Sequence, residues 1–296
     1  MSTRGKVFLG LSLYVLLIIV SFVALGKGPK NSQFKPQEEF KLVAWVDGPG
    51  VFDINKGVLY VVLAGLLTII GMMYIANRME ARPNRVQTAV EAIFALMREN
   101  IVRGNMDRAI ARKWFPFIGT LFLFIWFSNL IGYIPMPTNV KEKVAIFGWE
   151  FPSFALYAAT ANVSIPLVLA LVVWVSFNVE GIRGRGFRGY LKSLIPPGVP
   201  GWLRVPIFCL EIMSNFMRLV SLSVRLFANI LAGHLIILFM AGGLAVILAT
   251  TAIGIVTMPM GIAIFAFEVA LVATLQAFIF ATLTAIYLGE AVAEDH

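Results

Sequence analysis

The sequence is poor in the side chains on which most soluble chemistry depends. A single cysteine, Cys209, excludes an internal disulfide and any cysteine metal cluster. His234 and His296 are the only histidines, so a bis-histidine haem across two helices is excluded as well. No G-x-x-x-x-G-K-[ST] loop is present, and with it goes any P-loop for nucleotide. Charged residues are also scarce: they fill 14% of 296 positions against 59% hydrophobic, far from the quarter-charged, half-apolar balance of a soluble domain. These shortages together describe an all-α membrane protein without a cofactor or metal site. No internal repeat stands out, which leaves an inverted-repeat transporter architecture unsupported.

What the sequence does have is apolar runs. A helix crosses the bilayer with about 20 residues, and runs of that size or more occupy residues 8–26, 57–75, 115–134, 154–177, 205–243 and 244–288. Five to six membrane helices are therefore expected. The run at 205–243 holds 39 residues, which at about 1.5 Å each would reach roughly 58 Å, about twice the hydrocarbon thickness. Either each of the last two runs hides a break, or both helices lie steeply tilted as a long hairpin.

The net charge of +8 follows topology rather than a patch suited to nucleic acid. With a cytoplasmic amino terminus, fifteen of the 24 Lys and Arg fall on inside segments and seven outside, while Arg218 and Arg225 lie within a run. This is the bias expected of a multi-pass membrane protein. It leaves the acidic tail "GEAVAEDH" in the cytoplasm. Residues 1–56 read as an N-terminal helix and an outside loop, and 57–296 as the membrane domain. The first run has a basic start like a signal peptide, yet no clear A-x-A site follows it, which favours a retained anchor.

Between the runs, "RVQTAVEAIFALMRENIV" places Val86, Val90, Ile93, Phe94, Met97 and Ile101 on one helical face, with Gln87, Glu91, Arg98 and Glu99 off it. This pattern predicts an amphipathic helix along the cytoplasmic headgroups. Pro135 and Pro137 should stop the third helix. In the fourth run, Thr160, Asn162, Ser164 and Pro166 read as helix-packing glue at least as well as a functional set. The segment "GIRGRGFRGYLKSLIPPGVPGW" reads as a basic cytoplasmic loop.

The fifth run carries the most informative pattern. On a helical wheel centred on Arg225, Glu211 falls at about 40°, Ser214 at about −20°, Arg218 at about 20°, Ser221 at about −40° and Asn229 at about 40°. His234 falls on the opposite side, at about 180°. A charge at the bilayer centre costs about 2.5 to 3.5 kcal/mol on insertion scales, so each needs a partner or water. Glu211 is within reach of Arg218, whereas Arg225 has no acid within one turn. A guanidinium keeps its proton, so Arg225 is unsuited to carrying one and suited to holding a carboxylate ionised. The last run supplies Glu268, Thr274, Gln276, Thr282 and Thr284; a glutamate in this setting is a functional candidate, and His234 is the interior group that titrates near neutrality.

At these residues the chain resembles subunit a of the F-type ATP synthase. "SLSVRLFANILAGH" is similar to that family's fifth-helix motif and "LQAFIFATLTAIYLGE" to its sixth, with weaker likeness in "RVQTAVEAIF", "SNLIGYIP" and "TANVSIPLVLAL". The resemblance implies a stator subunit with no catalytic site of its own, working against a ring of c subunits beside the b subunits of the peripheral stalk. It also implies that the last two helices form a long hairpin curved around the ring. Arg225 matches the essential arginine, and Glu211, Ser214, Arg218 and Ser221 match positions along a cytoplasmic half-channel. Asn229 and Gln276 match polar neighbours of the arginine, and His234 and Glu268 resemble the pair lining an outer half-channel. Glu268 precedes Gln276 by eight residues where the family pattern has seven, which on a uniform helix puts the two about 80° apart. The rival readings are a proton-coupled secondary transporter and a structural subunit of a redox complex.

Overall fold

The computed structural model of the chain describes residues 54–77, 84–146, 149–195, 198–244 and 251–292, together with Gly5 and short stretches at 12–16, 19–20, 40, 42 and 44–46. Among the described residues, five helices are long and apolar enough to cross a membrane: Lys56–Tyr74, Arg108–Gly132, Ser164–Ser193, Gly201–Ala241 and Ile253–Val292. The chain is an all-α membrane protein, ornamented by two small antiparallel hairpins. The first apolar run and most of the loop after it lie outside the described residues.

Two compact units share the chain, one made of Val43–Ile134, Ala158–Ile230 and Ala273–His296, the other of Met1–Leu42, Pro135–Tyr157 and Leu231–Val272. In the first, β1 (Ala44–Val46) pairs with β2 (Ile54–Asn55) and leads into α1 (Lys56–Asn77). One side of α1 buries Tyr60 and Ala64; the other leaves Val62, Ile69 and Ile70 more than half exposed. Water does not tolerate a row of this kind, and lipid does.

Helix α2 (Arg85–Leu96) starts where the Asn84 side chain accepts from the Gln87 N–H at 2.7 Å, satisfying an otherwise orphaned amide. It continues as a π-helical segment, Met97–Arg103, that buries Met97, Ile101 and Val102. The periodicity had put Gln87 off the apolar face. The structure buries it, with its amide nitrogen donating to Glu91 at 2.7 Å. Helix α3 (Arg108–Gly132) stops at Tyr133, ahead of Pro135 as expected.

The polar residues of α3 point inward to α7 (Ala273–Val292). Asn129 is fully buried; its amide nitrogen donates to the Ala273 carbonyl at 3.3 Å, and its oxygen accepts from Thr160 at 2.7 Å. Trp126 donates to the Thr274 hydroxyl at 3.0 Å. Thr160 is therefore packing glue, as one reading of the fourth run had it. It lies in a short 3-10 turn, Ala159–Ala161, because the fourth helix begins later than its apolar run: α4 spans Ser164–Ser193.

Helix α4 corrects a second expectation. Residues 181–193 read as a Gly- and Arg-rich loop, but they are helical, with one sharp kink at Gly186 (φ 73°, ψ 160°). That backbone conformation is essentially glycine's alone. The limb beyond it folds back until the Tyr190 ring occupies the space a Cβ on Gly181 would need.

Helix α5 spans Arg204–Leu238 without interruption and runs on as a π-helical segment, Phe239–Gly243. The last long span contains α6 (Thr251–Phe267), a π-helical turn (Glu268–Val272) and α7. Among the described residues neither run shows a break, and 245–250 of the last run lie outside them. A straight 41-residue helix would be about 60 Å long, about twice a core of about 30 Å. In the second unit, β3 (Met136–Ile146) pairs with β4 (Trp149–Ala155), a hairpin the sequence reading did not foresee. There too Gly261 of α6 packs on Met240, and the Tyr14 hydroxyl donates to the Ile255 carbonyl at 2.8 Å.

Helix α3 meets the 158–161 segment at Gly132, where an added Cβ would overlap Ala158. Gly132→Val should destabilise the chain by about 1–3 kcal/mol through overpacking. Gly65→Val, where a Cβ meets nothing within 4 Å, should leave it unchanged. Thermal unfolding of both variants in one detergent checks this, and equal melting temperatures would refute it.

Candidate functional site

The first unit holds the arginine stripe. Along α5 the wheel repeats every three or four residues, so Ser214, Ser221, Arg225 and Asn229 come out together, and all four are exposed on this chain. Their surroundings are apolar and equally uncovered: Met213 is 57% exposed, Met217 49% and Val224 47%. An adjoining side of the same helix, about 100° round the wheel through Leu219, Leu222, Leu226 and Ile230, is buried. Arg225 thus projects from an apolar surface instead of into the bundle. Among the described residues it has no ion pair and no hydrogen bond.

Arg218, one face-repeat away, is different. Its guanidinium donates to the Glu290 carboxylate at 2.8 Å and lies over the Tyr287 ring, 4.9 Å from the centroid. The expected partner, Glu211, is half-buried and forms no ion pair among the described residues. The reason is geometric. Glu211 is two turns back along α5, whereas Glu290, near the end of α7, comes within hydrogen-bond distance of the Arg218 guanidinium. The pair is 28% and 54% exposed at its two side chains, so in water it would add little stability. Its consequence is positional, since it occupies Arg218 and leaves Arg225 as the stripe's unpaired cation.

Gln276 on α7 is buried, at 6% exposure, and no hydrogen bond joins it to Arg225 among the described residues. Sequence reasoning missed a neighbouring polar knot. The Asn178 oxygen accepts from Tyr190 at 2.7 Å and from the Asn215 amide at 3.0 Å, while Trp174 donates to the Asn215 carbonyl at 3.2 Å. Lys113 also pairs with the buried Glu180. The signal was present in "SFNVEG", where Asn178 and Glu180 interrupt an apolar run, but the fourth run had been ended at Phe177.

The second unit holds His234 and Glu268. His234 is fully buried, its ring edge-on to Phe40 with centroids 6.3 Å apart. Glu268 is 8% exposed, and its carboxylate rests where a Cβ on Gly233 would be. The missing side chain at 233 is what lets the acid reach the α5 backbone next to the histidine. The residues that follow Glu268 are not uniformly α-helical. A π turn closes its hydrogen bonds from i to i+5 and so takes up one more residue than an α turn. With Glu268–Val272 π-helical, a wheel drawn for a uniform α-helix does not describe the turn that begins at Glu268.

The second unit holds a buried acid and a buried histidine, groups suited to moving protons; the first, described by itself, presents on an outward apolar stripe an arginine that is unpaired among the described residues and suited to meeting a carboxylate from outside. Comparison with known proteins agrees. The family described as ATP synthase A chain matches residues 58–289. The chain belongs to that family. Relatives include the ATP synthase subunit a of Maricaulis maris (strain MCS10), 34% identical over 269 residues, covering 89% of this chain and 97% of the relative. That of Rubrobacter xylanophilus is 35% identical over 238 residues, covering 80% and 83%. That of Methylobacterium sp. (strain 4-46) is 34% identical over 247 residues, covering 82% and 88%. As a family member this multi-pass chain is a component of the ATP synthase complex.

The contact at Gly233 makes a two-part prediction. Gly233→Ala should displace the Glu268 carboxylate and lower ATP-driven proton pumping in vesicles at least tenfold. Shortening the acid in the same background, Gly233→Ala with Glu268→Asp, should restore part of the loss. Full pumping in the single variant would contradict it.

Proposed function

We propose that this chain is the proton-conducting stator of the membrane motor, passing protons to and from a ring of c subunits. The observation that carries the reading is Arg225, exposed on an apolar face and unpaired within its own chain among the described residues. A guanidinium in lipid without a counterion is costly, and a carboxylate supplied by a passing rotor subunit would supply one. Protons would enter from outside past His234 and Glu268, neutralise that carboxylate, travel with the ring and leave near Glu211. Ser214, Arg218 and Ser221 would flank the exit, and Asn229 and Gln276 would support the arginine. Arg225 would force release by favouring the ionised acid.

The working domain is 57–296, set in a bacterial plasma membrane with its carboxyl terminus in the cytoplasm and the b subunits of the peripheral stalk beside it. Nucleotide chemistry falls to partner subunits. A secondary transporter is disfavoured because its charged residues would line a cavity of its own helices, whereas the Arg225 stripe is turned outward.

Arg225→Ala should abolish ATP-driven proton pumping in vesicles, and unchanged coupled pumping would end this assignment. The ring contact has a separate check. In a Cys209→Ser background, needed because Cys209 is exposed, a cysteine replacing Val224 should crosslink to a c subunit. One replacing Leu219, 7% exposed on the other face, should not. Crosslinks from both positions, or only to other chains, would refute the proposed face.

A further inference from the structure

Where the π-helical end of α2 meets the start of α3, the first unit contains a cavity of about 220 Å³ that the proton path does not use. Two stripes line it. From α2 and its π segment come Phe94, Arg98 and Val102, each four residues apart; from α3 come Arg108, Ala111, Arg112 and Phe115. The inner end is aromatic, with the Phe94 and Phe115 rings edge-on at a centroid distance of 4.9 Å. The small side chain of Ala111, 5% exposed, leaves the hollow open. The mouth is cationic.

The pairing of the local charges is uneven. Lys113 is held by Glu180, and Arg103, also at the mouth, by Glu99 at 2.7 Å. Arg98, Arg108 and Arg112 have no ion pair or hydrogen bond among the described residues. Three uncompensated guanidinium groups over an apolar floor attract an anion with an apolar body. Arg108 opens the membrane span Arg108–Gly132, and a bilayer set on that span would put the mouth at headgroup depth and the floor where acyl chains begin. Guanidinium forks match phosphate oxygens in geometry as well as charge.

We propose that this cavity binds the phosphodiester headgroup of an anionic membrane phospholipid, with Arg98, Arg108 and Arg112 on the phosphate and Phe94 and Phe115 against the first carbons of the acyl chains. A free phosphate would share the cationic contacts but gain nothing from the aromatic end.

The test uses the purified full chain in detergent and native mass spectrometry, adding phosphatidylglycerol or phosphatidylcholine and, in a third arm, inorganic phosphate as competitor. Phosphatidylglycerol should be retained in preference to phosphatidylcholine, and millimolar phosphate should not displace it. Arg98→Gln with Arg112→Gln should weaken retention roughly 25-fold, taking about 1 kcal/mol per arginine near an anionic headgroup and tenfold per 1.4 kcal/mol. Arg183→Gln with Arg188→Gln, exposed cations outside the cavity, should not weaken it. Ala111→Leu, which fills the cavity and keeps every charge, should lose retention too, so the proposal does not hang on one variant. Equal retention of both lipids, equal loss in the control pair, full retention in Ala111→Leu or in the arginine double variant, or displacement by phosphate would each overturn it.

Discussion

On the proposed reading, an arginine that cannot discharge sits in an apolar setting with its counterion supplied from elsewhere, and that constraint organises the chain. The rest of α5 is arranged around that requirement. Leu219, Leu222, Leu226 and Ile230 turn one side into the bundle, and the neighbouring stripe of Ser221, Arg225 and Asn229 is left exposed. The second cation of the stripe, Arg218, is taken by Glu290 and Tyr287. If Arg218 were also unpaired, an incoming carboxylate would meet two competing cations two turns apart, and the position at which it is held ionised would blur.

The same logic explains why so much of α3, α4 and α7 is tied by buried polar contacts. Asn129 bridges Thr160 and the Ala273 carbonyl, Trp126 reaches Thr274, and Asn178 joins Tyr190 to Asn215. In lipid, apolar burial contributes little to holding helices together, so packing of small residues and hydrogen bonds between helices carry the load. Gly132 against Ala158 and Gly289 against the Asn105 carbonyl are close approaches of this sort. They hold the inner side of α5 and α7 in place, so that the outward face is free to be shaped by what it meets.

How much of this could be read from the sequence depended on the range of the interaction. The outward stripe was legible because a polar residue every three or four positions in an apolar run has one helical interpretation. The third helix's end at Tyr133 was legible from Pro135, and the amphipathic α2 from its spacing. Arg218's partner was not, because Glu290 lies 72 residues away and sequence reasoning looked only along the same helix. Nor was the helical limb after Gly186, since glycines and arginines there look like a loop until the fold-back onto Gly181 supplies a reason for them. The π turn at Glu268–Val272 was visible only as an anomaly, one residue too many. In the structure that residue falls in a π-helical turn that begins at Glu268 itself.

On the proposed reading, the exposure of Arg225 also sets the strength of its bond to a rotor carboxylate, and that strength has to fall in a window. In bulk water an ion pair at about 4 Å is worth about 1 kcal/mol, too little to hold a carboxylate ionised in an apolar site; in a dry interior with a dielectric near 4 the figure approaches 20 kcal/mol, an illustrative ceiling. The drive per proton is about 2.3 kcal/mol per 100 mV. A pair near the ceiling would trap the rotor, since no physiological potential could break it. At an effective dielectric near 20 the pair is worth about 4 kcal/mol, comparable with one or two such steps. An arginine on the open face of α5, flanked by the hydroxyl of Ser221 and the amide of Asn229, belongs to that middle regime. Burying it beside Gln276 in the bundle would strengthen the pair and stall the motor, so the outward stripe is as necessary to turnover as the charge it carries.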